Sequence, residues 1–348
     1  MENTVVKNKP IKLALIGAGR IGSHHARMIA HHVTGAELCA VVDPTPMAYK
    51  LAEELGAIAY STPEEVLSRD DIDGVIIATP ARTHTELVVQ AASAGKHVFV
   101  EKPMAVTLSD ANRAIEAAHN AGVLLQVGFN RRFAAGFAAA RARIEAGDIG
   151  TPQLLRSLTR DPGPFGADPH KIPQWTIFLE TLIHDFDALC FLNPGAQPVE
   201  VTAHADCLVV PEAAETGFLD TAVVTIRFDN GALATAEASF SASYGYDVRG
   251  EVFGSQGMLT AGNVRANDLT FFGAQGIEVD TSRADTELLS DAYRAEFQAF
   301  TNSIRNQAPA QVPGEAARTA LLIALGAIRS VETGESIKLA TITENVEV

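Results

Sequence analysis

Short apolar runs alternate with helical patterns over the first third of the chain. The strand-like runs are Ile11 to Ile16, Leu38 to Val42, Val75 to Ala78, His97 to Val100 and Leu124 to Val127. Strands that alternate with helices are typical of βαβ units, in which helices cover both faces of a parallel sheet. The pattern therefore predicts a parallel α/β domain over residues 1–128.

The pattern changes after Gly128. One helix is predicted from about Ala134 to Ala146, a strand from Gln153 to Arg160, and a second helix from Thr176 to Leu192. Alternating runs follow at Val201 to Val209, Ala222 to Phe228, Ala232 to Phe240 and Val248 to Phe253, and amphipathic helices at about Leu288 to Arg305 and Glu315 to Glu332. Alternation of period two predicts strands with one buried face. We expect residues 129–348 to form an α+β domain with an open, mostly antiparallel sheet.

Length and charge narrow the possible functions. A chain of 348 residues is long enough for two domains, with a cleft between them as the expected site. The formal charge of -15 repels phosphate backbones and anionic membranes, so neither a nucleic acid nor a membrane is an expected partner. The three cysteines, Cys39, Cys190 and Cys207, share no metal-like spacing, and no secretory signal or membrane span is visible. We expect a cytoplasmic protein.

A glycine-rich turn directly follows the first predicted strand. In Gly17-Ala18-Gly19-Arg20-Ile21-Gly22 the glycines can let the backbone approach a pyrophosphate at a helix N-terminus. Asp43 ends the second strand, where a carboxylate can accept hydrogen bonds from a ribose diol and repel a 2'-phosphate. Together they predict a Rossmann domain that binds NAD rather than NADP, although Arg20 could reach a phosphate. The alternative is a structural turn with a solvated Asp43.

A lysine follows the fifth predicted strand in Glu101-Lys102-Pro103. Open α/β sheets bind their ligands along the carboxyl edge of the strands, where Lys102 is expected. A lysine there can donate to a substrate hydroxyl and stabilise the alkoxide that develops as hydride leaves. The alternative is a surface salt bridge of Glu101 beside a solvated lysine.

Three ionisable residues share one face of the helix predicted over Thr176 to Leu192. Glu180, His184 and Asp187 lie at i, i+4 and i+7 on an otherwise apolar helix. His184 can take a hydroxyl proton as hydride departs, and a carboxylate one turn away can orient the imidazole. A structural ion-pair cluster is the main alternative. A metal site on Glu180 and His184 is weaker because no further ligands have convincing spacing, so we expect no metal.

At these residues the chain resembles the glucose-fructose oxidoreductase, inositol dehydrogenase and rhizopine catabolism (Gfo/Idh/MocA) superfamily, and within it the inositol 2-dehydrogenases. The resemblance covers nearly the whole chain. Its motifs are the Gly17 to Gly22 turn, Ala78-Thr79-Pro80, Glu101-Lys102-Pro103, Gly128-Phe129-Asn130-Arg131-Arg132-Phe133, Arg160-Asp161-Pro162, Ile183-His184-Asp185-Phe186-Asp187 and Tyr244-Gly245-Tyr246-Asp247.

The resemblance implies an NAD-dependent dehydrogenase that oxidises a secondary CH–OH group of myo-inositol or a related cyclitol or sugar. It implies Lys102, His184 and Glu180 as catalytic residues. The implied substrate-binding residues are Lys102, Arg132, Glu180, His184 and Asp187, and the implied cofactor-binding residues are Gly17, Gly19, Arg20, Ile21, Gly22, Asp43, Thr79, Pro80, His84, Glu101 and Lys102. It also implies a homodimer or homotetramer that assembles through the exposed face of the second sheet.

The chain departs from the superfamily pattern at two places. Glu180 stands where the family has a catalytic aspartate, so its carboxylate extends one methylene further. Trp175-Thr176-Ile177-Phe178 replaces a small, glycine-containing sequence beside the pocket. Two other functions known in the superfamily remain open: redox-neutral glycoside cleavage with tightly held NAD, and NAD-bound regulation without catalysis. Retention of Lys102 and His184 argues against the second.

Overall fold

The computed structural model describes residues 9–163 and 168–344 and contains two compact units. The first unit is the chain up to Gly128 together with Tyr293–Glu315, and the second is Phe129–Ala292 together with the chain from Ala316 onward. The division at Gly128 lies where the sequence pattern changes. The units differ from the predicted domains in one respect, since the segment Tyr293–Glu315 belongs to the first unit and not to the second. Backbone hydrogen bonds such as that from Val127 N to Val312 O join this segment to the first unit.

The first unit is a doubly wound parallel sheet of order β3-β2-β1-β4-β5-β6. Its strands are β1 (Ile11–Ile16), β2 (Ala36–Val42), β3 (Ile58–Tyr60), β4 (Gly74–Ile77), β5 (His97–Val100) and β6 (Leu125–Val127). Its crossover helices are α1 (Arg20–His32), α2 (Met47–Leu55), α3 (Pro63–Leu67), α4 (His84–Ser93) and α5 (Leu108–Ala121). This order is that of a Rossmann domain, so the predicted fold is confirmed. The predicted site residues of this unit follow the carboxyl ends of β1, β2, β4 and β5.

The second unit is built on a seven-stranded sheet of order β12-β11-β7-β10-β9-β8-β15. Its strands are β7 (Pro152–Arg160), β8 (Pro198–Asp206), β9 (Thr221–Phe228), β10 (Leu233–Ser239), β11 (Asp247–Gly254), β12 (Met258–Asn263) and β15 (Ile337–Lys338); β13 (Arg265–Gly273) and β14 (Gly276–Thr281) form a separate ribbon. Only the β10–β7 pair is parallel, so the predicted mostly antiparallel sheet is confirmed.

Helices cover one face of this sheet. They include α6 (Ala135–Glu145), α7 (Ile183–Phe191) and α10 (Gly314–Thr333). Two further helices are α8 (Asp285–Leu288), which contacts the ribbon strand β13, and α9 (Ser290–Asn306), whose larger part belongs to the first unit. Along β9 the side chains alternate between buried and exposed, so the opposite face of the sheet is open. Among the described residues, no helix combines the length and hydropathy needed to cross a bilayer.

Candidate functional site

The glycine turn joins β1 to α1 and leaves room for a ligand backbone. Gly17 has a φ of 100°, and a Cβ there would lie 2.6 Å from the carbonyl oxygen of Ala78. A Cβ at Gly22 would collide with the carbonyl oxygen of Gly17. Gly19 is the N-cap residue of α1, and a Cβ at this position would meet nothing within 4 Å. Two glycines thus close the turn and the third keeps its outer side open, which fits the pyrophosphate of a dinucleotide.

Asp43 lies at the end of β2 beside this turn. Its Oδ2 accepts a hydrogen bond from the amide of Ala18 at 2.8 Å, and its Oδ1 accepts from the amide and hydroxyl of Thr45. Burial raises the pKa of the Asp43 carboxyl, but the hydrogen bonds from Thr45 and Ala18 outweigh burial and hold this pKa below its usual value. Oδ2, which accepts one hydrogen bond, has a second lone pair that can still accept from a ribose hydroxyl. The link to Ala18, which the sequence does not reveal, fixes the carboxylate against the turn.

His84, the first residue of α4, is buried between two loops at the carboxyl edge of the sheet. Its Nε2 lies 2.7 Å from the carbonyl oxygen of Thr79, and its Nδ1 lies 2.8 Å from that of Pro103. Thr79 is half-buried and Pro80 exposed, so both are accessible from this edge. His84 thus joins the loop after β4 to the loop after β5, and direct contact of its ring with a cofactor stays a prediction.

Lys102 is half-buried and directly follows Glu101 at the end of β5. Glu101 is only 6% exposed, so the alternative of a surface salt bridge is wrong. Its Oε1 lies 2.5 Å from Nε2 of His25 on α1, and its Oε2 accepts from the amide of Lys102 at 3.0 Å. The Lys102–Pro103 peptide bond is cis. The sequence analysis did not identify His25 as the partner of Glu101.

The three ionisable residues predicted on one helix face, Glu180, His184 and Asp187, lie on two kinds of helix. Residues Ile177–Leu182, which include Glu180, form a π-helical segment, and the α-helix α7 begins only at Ile183. The predicted regular helix from Thr176 is therefore wrong in its first half, and Glu180 is not one α-helical turn from His184. Glu180 is exposed, while His184 is half-buried with its ring edge-on to Phe129 at 5.7 Å between centroids. Single-turn π segments inside helices frequently occur at functional sites.

Arg132 and Asp187, both predicted to contact substrate, are paired with each other. The guanidinium donates from Nε and Nη2 to the two carboxylate oxygens at 2.8 and 2.6 Å, and it lies over the ring of Phe191. Burial lowers the pKa of Arg132, but the charge of Asp187 outweighs burial and raises it. Asp187 follows His184 by three residues in the sequence, and contact of the ion pair with a substrate stays a prediction.

A second buried ion pair, which the sequence analysis missed, lies beside it. Arg131 donates to Oδ1 of Asp185 at 2.6 Å, and the same carboxylate accepts from Ser157 at 2.6 Å and from Thr159 at 2.7 Å. Both charged side chains are buried. The network ties α7 to β7 at the residue next to His184, and the adjacent arginines in Arg131-Arg132 were its only sequence signal.

Within residues 9–163 and 168–344, no group of three His, Cys, Asp or Glu side chains is arranged to hold a metal ion. The site residues described above are hydrogen-bonding groups: the glycine turn and Asp43, Lys102, and the Glu180 and His184 segment.

Comparison with known proteins extends these observations to the whole chain. Residues 11–129 match the model of the oxidoreductase family with an NAD-binding Rossmann fold, and residues 137–260 match the GFO/IDH/MocA C-terminal domain. Myo-inositol 2-dehydrogenase of Thermotoga maritima is 37% identical over 94% of this chain and 98% of its own length. The scyllo-inositol 2-dehydrogenase (NAD(+)) of Bacillus subtilis is 36% identical over 94% of this chain and 96% of its own.

Solved structures agree in fold. The crystal structure of scyllo-inositol dehydrogenase from Lactobacillus casei with bound NAD(H) and scyllo-inositol has a TM-score of 0.91 to this chain. It is 29% identical, and the match covers 96% of this chain and all of the other. A probable dehydrogenase from Thermotoga maritima has a TM-score of 0.90 at 37% identity, covering 95% of this chain and all of its own.

Proposed function

This chain belongs to the Gfo/Idh/MocA oxidoreductase family, and we propose that it oxidises one ring CH–OH group of an inositol to a ketone with NAD as hydride acceptor. The observation that carries the proposal is that relatives aligned over 94% of the chain are myo- and scyllo-inositol 2-dehydrogenases. The open glycine turn and the Asp43 carboxylate support NAD as the cofactor. A ligand with a hydroxyl on every ring carbon suits charged groups that hydrogen-bond.

The chemistry divides between two side chains. His184 takes the proton of the substrate hydroxyl, and Lys102 donates a hydrogen bond to the same oxygen and stabilises its negative charge. NAD, when bound, accepts the hydride that leaves the ring carbon. Glu180 carries the charge of the family aspartate and supports the histidine cation that forms. The products are the ketone, NADH and a proton.

The first experiment is NADH formation with purified protein, NAD or NADP, and a panel of myo-inositol, scyllo-inositol, aldoses and a deoxy-inositol. We expect NADH to accumulate with NAD and one inositol. Glycoside consumption without NADH would instead support the redox-neutral function of the superfamily. Failure of every compound, with NAD still bound, would favour the regulatory one.

Substitution tests the two catalytic roles. Lys102→Ala and His184→Ala should each lower turnover by about 10²- to 10⁴-fold, because each removes a group that acts on the reacting oxygen. In His184→Ala, NAD affinity measured by fluorescence titration should stay within about threefold, since His184 is not among the residues implied to bind the cofactor. The exposed residues His119 and Lys338 provide matched controls as His119→Ala and Lys338→Ala. Unchanged turnover in both catalytic variants would remove the assignment.

We also propose that the protein forms a homodimer or homotetramer through the open face of the seven-stranded sheet. Four exposed apolar side chains lie opposite one another across four neighbouring strands, in the order Leu233, Leu154, Phe253 and Met258. Their fractional exposures of 44 to 55% leave a continuous apolar row for a second copy to cover.

Light scattering after size exclusion tests this assembly. Phe253→Glu would place a charge in the row, so the variant should dissociate toward monomer while its unfolding midpoint is retained. Ile58→Glu, at a similarly exposed apolar residue on β3, is the control and should leave the mass unchanged. A wild-type monomer at micromolar concentration would contradict the proposal.

A further inference from the structure

The backbone around Lys102 is held on both sides by buried side chains of the first unit. On one side, the amide of Lys102 donates to Oε2 of Glu101 at 3.0 Å. On the other, the carbonyl oxygen of Pro103 lies 2.8 Å from Nδ1 of His84. The residue that we assign to the substrate oxygen is therefore bracketed by two side-chain contacts that do not involve its own ammonium group.

His25 is the anchor on the Glu101 side. Its Nε2 lies 2.5 Å from Glu101 Oε1, and its ring is fully buried against Phe297 at 4.8 Å and Tyr293 at 5.5 Å between centroids. Burial raises the pKa of Glu101, but the hydrogen bond and charge of His25, followed by the charge of Lys102, outweigh burial and lower it. A buried carboxylate is tolerated only when it is paired in this way.

The carboxylate of Glu101 has little room to move away from His25. A Cβ at Gly128 would lie 3.2 Å from all three terminal atoms of the Glu101 carboxylate. The carboxylate is therefore confined between β6 and α1, and it cannot turn away without losing His25. Because α1 starts at the phosphate-binding turn, His25 connects Lys102 to the same helix that is expected to face the dinucleotide.

His84 is the anchor on the Pro103 side. Both of its ring nitrogens face carbonyl oxygens, that of Thr79 at 2.7 Å and that of Pro103 at 2.8 Å. A carbonyl oxygen only accepts, so both hydrogen bonds form when the ring carries both of its N–H groups, and a neutral ring can make only one. The side chain crosses from the end of β4 to the residue after Lys102.

We propose that His25 and His84 are positioning residues that hold Lys102 in place, His25 through the carboxylate of Glu101 and His84 through the carbonyl of Pro103. The inference rests on the proposed function, because it gives the two histidines a role only through Lys102. Misplacement of a reacting group by about 1 Å can cost roughly 10²-fold in rate, so contacts that fix a strand-end lysine have a direct effect on turnover.

The variants are His25→Ala and His84→Ala, with His25→Gln and His84→Gln as conservative versions whose amide can still donate one hydrogen bond. Each histidine has a control on its own helix. Arg27→Ala on α1 removes an exposed ion pair with Glu54, and Glu86→Gln on α4 changes an exposed carboxylate two residues from His84. If an alanine variant does not fold, the glutamine variant carries the test, since His84→Gln replaces two ring nitrogens by one donor nitrogen.

Two measurements separate positioning from a general loss of structure. The first is kcat in a double-mutant cycle with Lys102→Ala. We expect each alanine variant to lose about 10- to 100-fold in kcat, with a smaller loss for glutamine and an increased isotope effect from deuterium on the reacting carbon. NAD affinity should be unchanged in the His25 variants, since His25, unlike His84, is not among the residues implied to bind the cofactor. In the Lys102→Ala background the same substitutions should cost less than about twofold.

The second measurement needs neither cofactor nor turnover. Hydrogen exchange of the Lys102 amide in the protein without NAD should accelerate at least about tenfold in His25→Ala, because Glu101 loses the partner that holds it as acceptor. The acceleration should be smaller in His25→Gln, whose amide can still donate to Glu101. Arg27→Ala should leave this rate unchanged.

The outcomes distinguish the two proposals. If Lys102→Ala keeps wild-type turnover, the assigned role of Lys102 fails and this inference falls with it. If Lys102→Ala loses turnover but the histidine variants keep it, only the inference is overturned. Equal losses of kcat with and without Lys102, or an unchanged Lys102 amide in the His25 variants, would likewise overturn it in favour of a purely structural role.

Discussion

At the scale of single residues, the glycines of the turn between β1 and α1 are needed for two different reasons, backbone conformation and open space. Gly17 is needed for its backbone conformation, since its φ of 100° and the nearby Ala78 carbonyl exclude a side chain. Gly19 has an ordinary φ of -67° and open space around its Cβ position. The protein's own packing therefore does not require a glycine at position 19, whose missing side chain instead leaves room for a ligand.

This difference predicts that the same substitution affects different properties at the two glycines. Gly17→Ala should lower the free energy of unfolding by about 1–3 kcal/mol, because it forces both strain and a collision. Gly19→Ala should leave it within about 1 kcal/mol but weaken NAD binding, since the new methyl group occupies the pyrophosphate side of the turn. Denaturant unfolding and NADH fluorescence titration measure the two quantities. Undiminished NADH affinity in Gly19→Ala would place the cofactor elsewhere.

Residue identities were easier to predict than residue partners. The glycine turn, Asp43 and Lys102 lie at strand ends, and a strand end can be located from local sequence. The contacts of His25 with Glu101 and of Arg132 with Asp187 join residues 76 and 55 positions apart. Such pairing depends on three-dimensional packing, and no local pattern contains it.

At the scale of elements, α7 is fixed to the sheet by a charge rather than by apolar packing alone. Asp185 accepts hydrogen bonds from Arg131, Ser157 and Thr159, which come from the turn after β6 and from β7. The network lies next to the end of the π-helical segment, so the change in helix type occurs beside a fixed point. His184 is thereby presented from an element with little freedom to rotate.

Removing this anchor should be costly. Asp185→Ala would leave the Arg131 guanidinium buried without its counter-charge, and we expect a loss of about 3–5 kcal/mol in the free energy of unfolding. Glu237→Ala, which removes the shared partner of the more exposed Arg156 and Arg160 on the sheet, should cost no more than about 1 kcal/mol. Denaturant melts of the two variants provide the comparison, and equal losses would mean that Asp185 contributes no special anchor.

The sequence analysis missed several elements, and the physical reason differs among them. The strands β13 and β14 form a ribbon whose described side chains are mostly exposed, so they lack the alternation of buried and exposed positions that marks a strand. The strands β3 and β15 have three and two residues, too few for any periodicity. The π segment escaped because its composition matches that of an α-helix; only the hydrogen bonds differ.

At the scale of the whole molecule, all three cysteines are free and kept in the thiol form. Burial is the largest cause in each case. It raises the pKa of Cys39 and of Cys190 to about 12, with further contributions from Glu37 and Asp187 respectively, and it raises the pKa of Cys207 together with Asp220. Because the thiolate is the reactive form, the native protein should resist thiol reagents.

Titration with a chromogenic disulfide at about pH 8 tests this expectation. A thiol of pKa about 12 is ionised to roughly one part in 10⁴ at that pH, against a substantial fraction for an ordinary cysteine. We expect all three thiols to react promptly in guanidinium chloride and at least about a hundredfold more slowly in the native protein. One equivalent reacting at the unfolded rate would identify a thiol that its surroundings do not protect.

Because Tyr293–Glu315 belongs to the first unit, the order of synthesis differs from the order in which the two units are completed. Phe297 and Phe300 of α9 pack on Phe99 of β5, yet they leave the ribosome long after it. Synthesis must reach residue 315 of 348 before the dinucleotide-binding unit has all of its chain. Until then β5 and His25 lack their aromatic cover, so a fragment that stops at Gly128 is an unfinished domain. The nascent chain therefore completes its first domain almost last, when most of the second has already been synthesised.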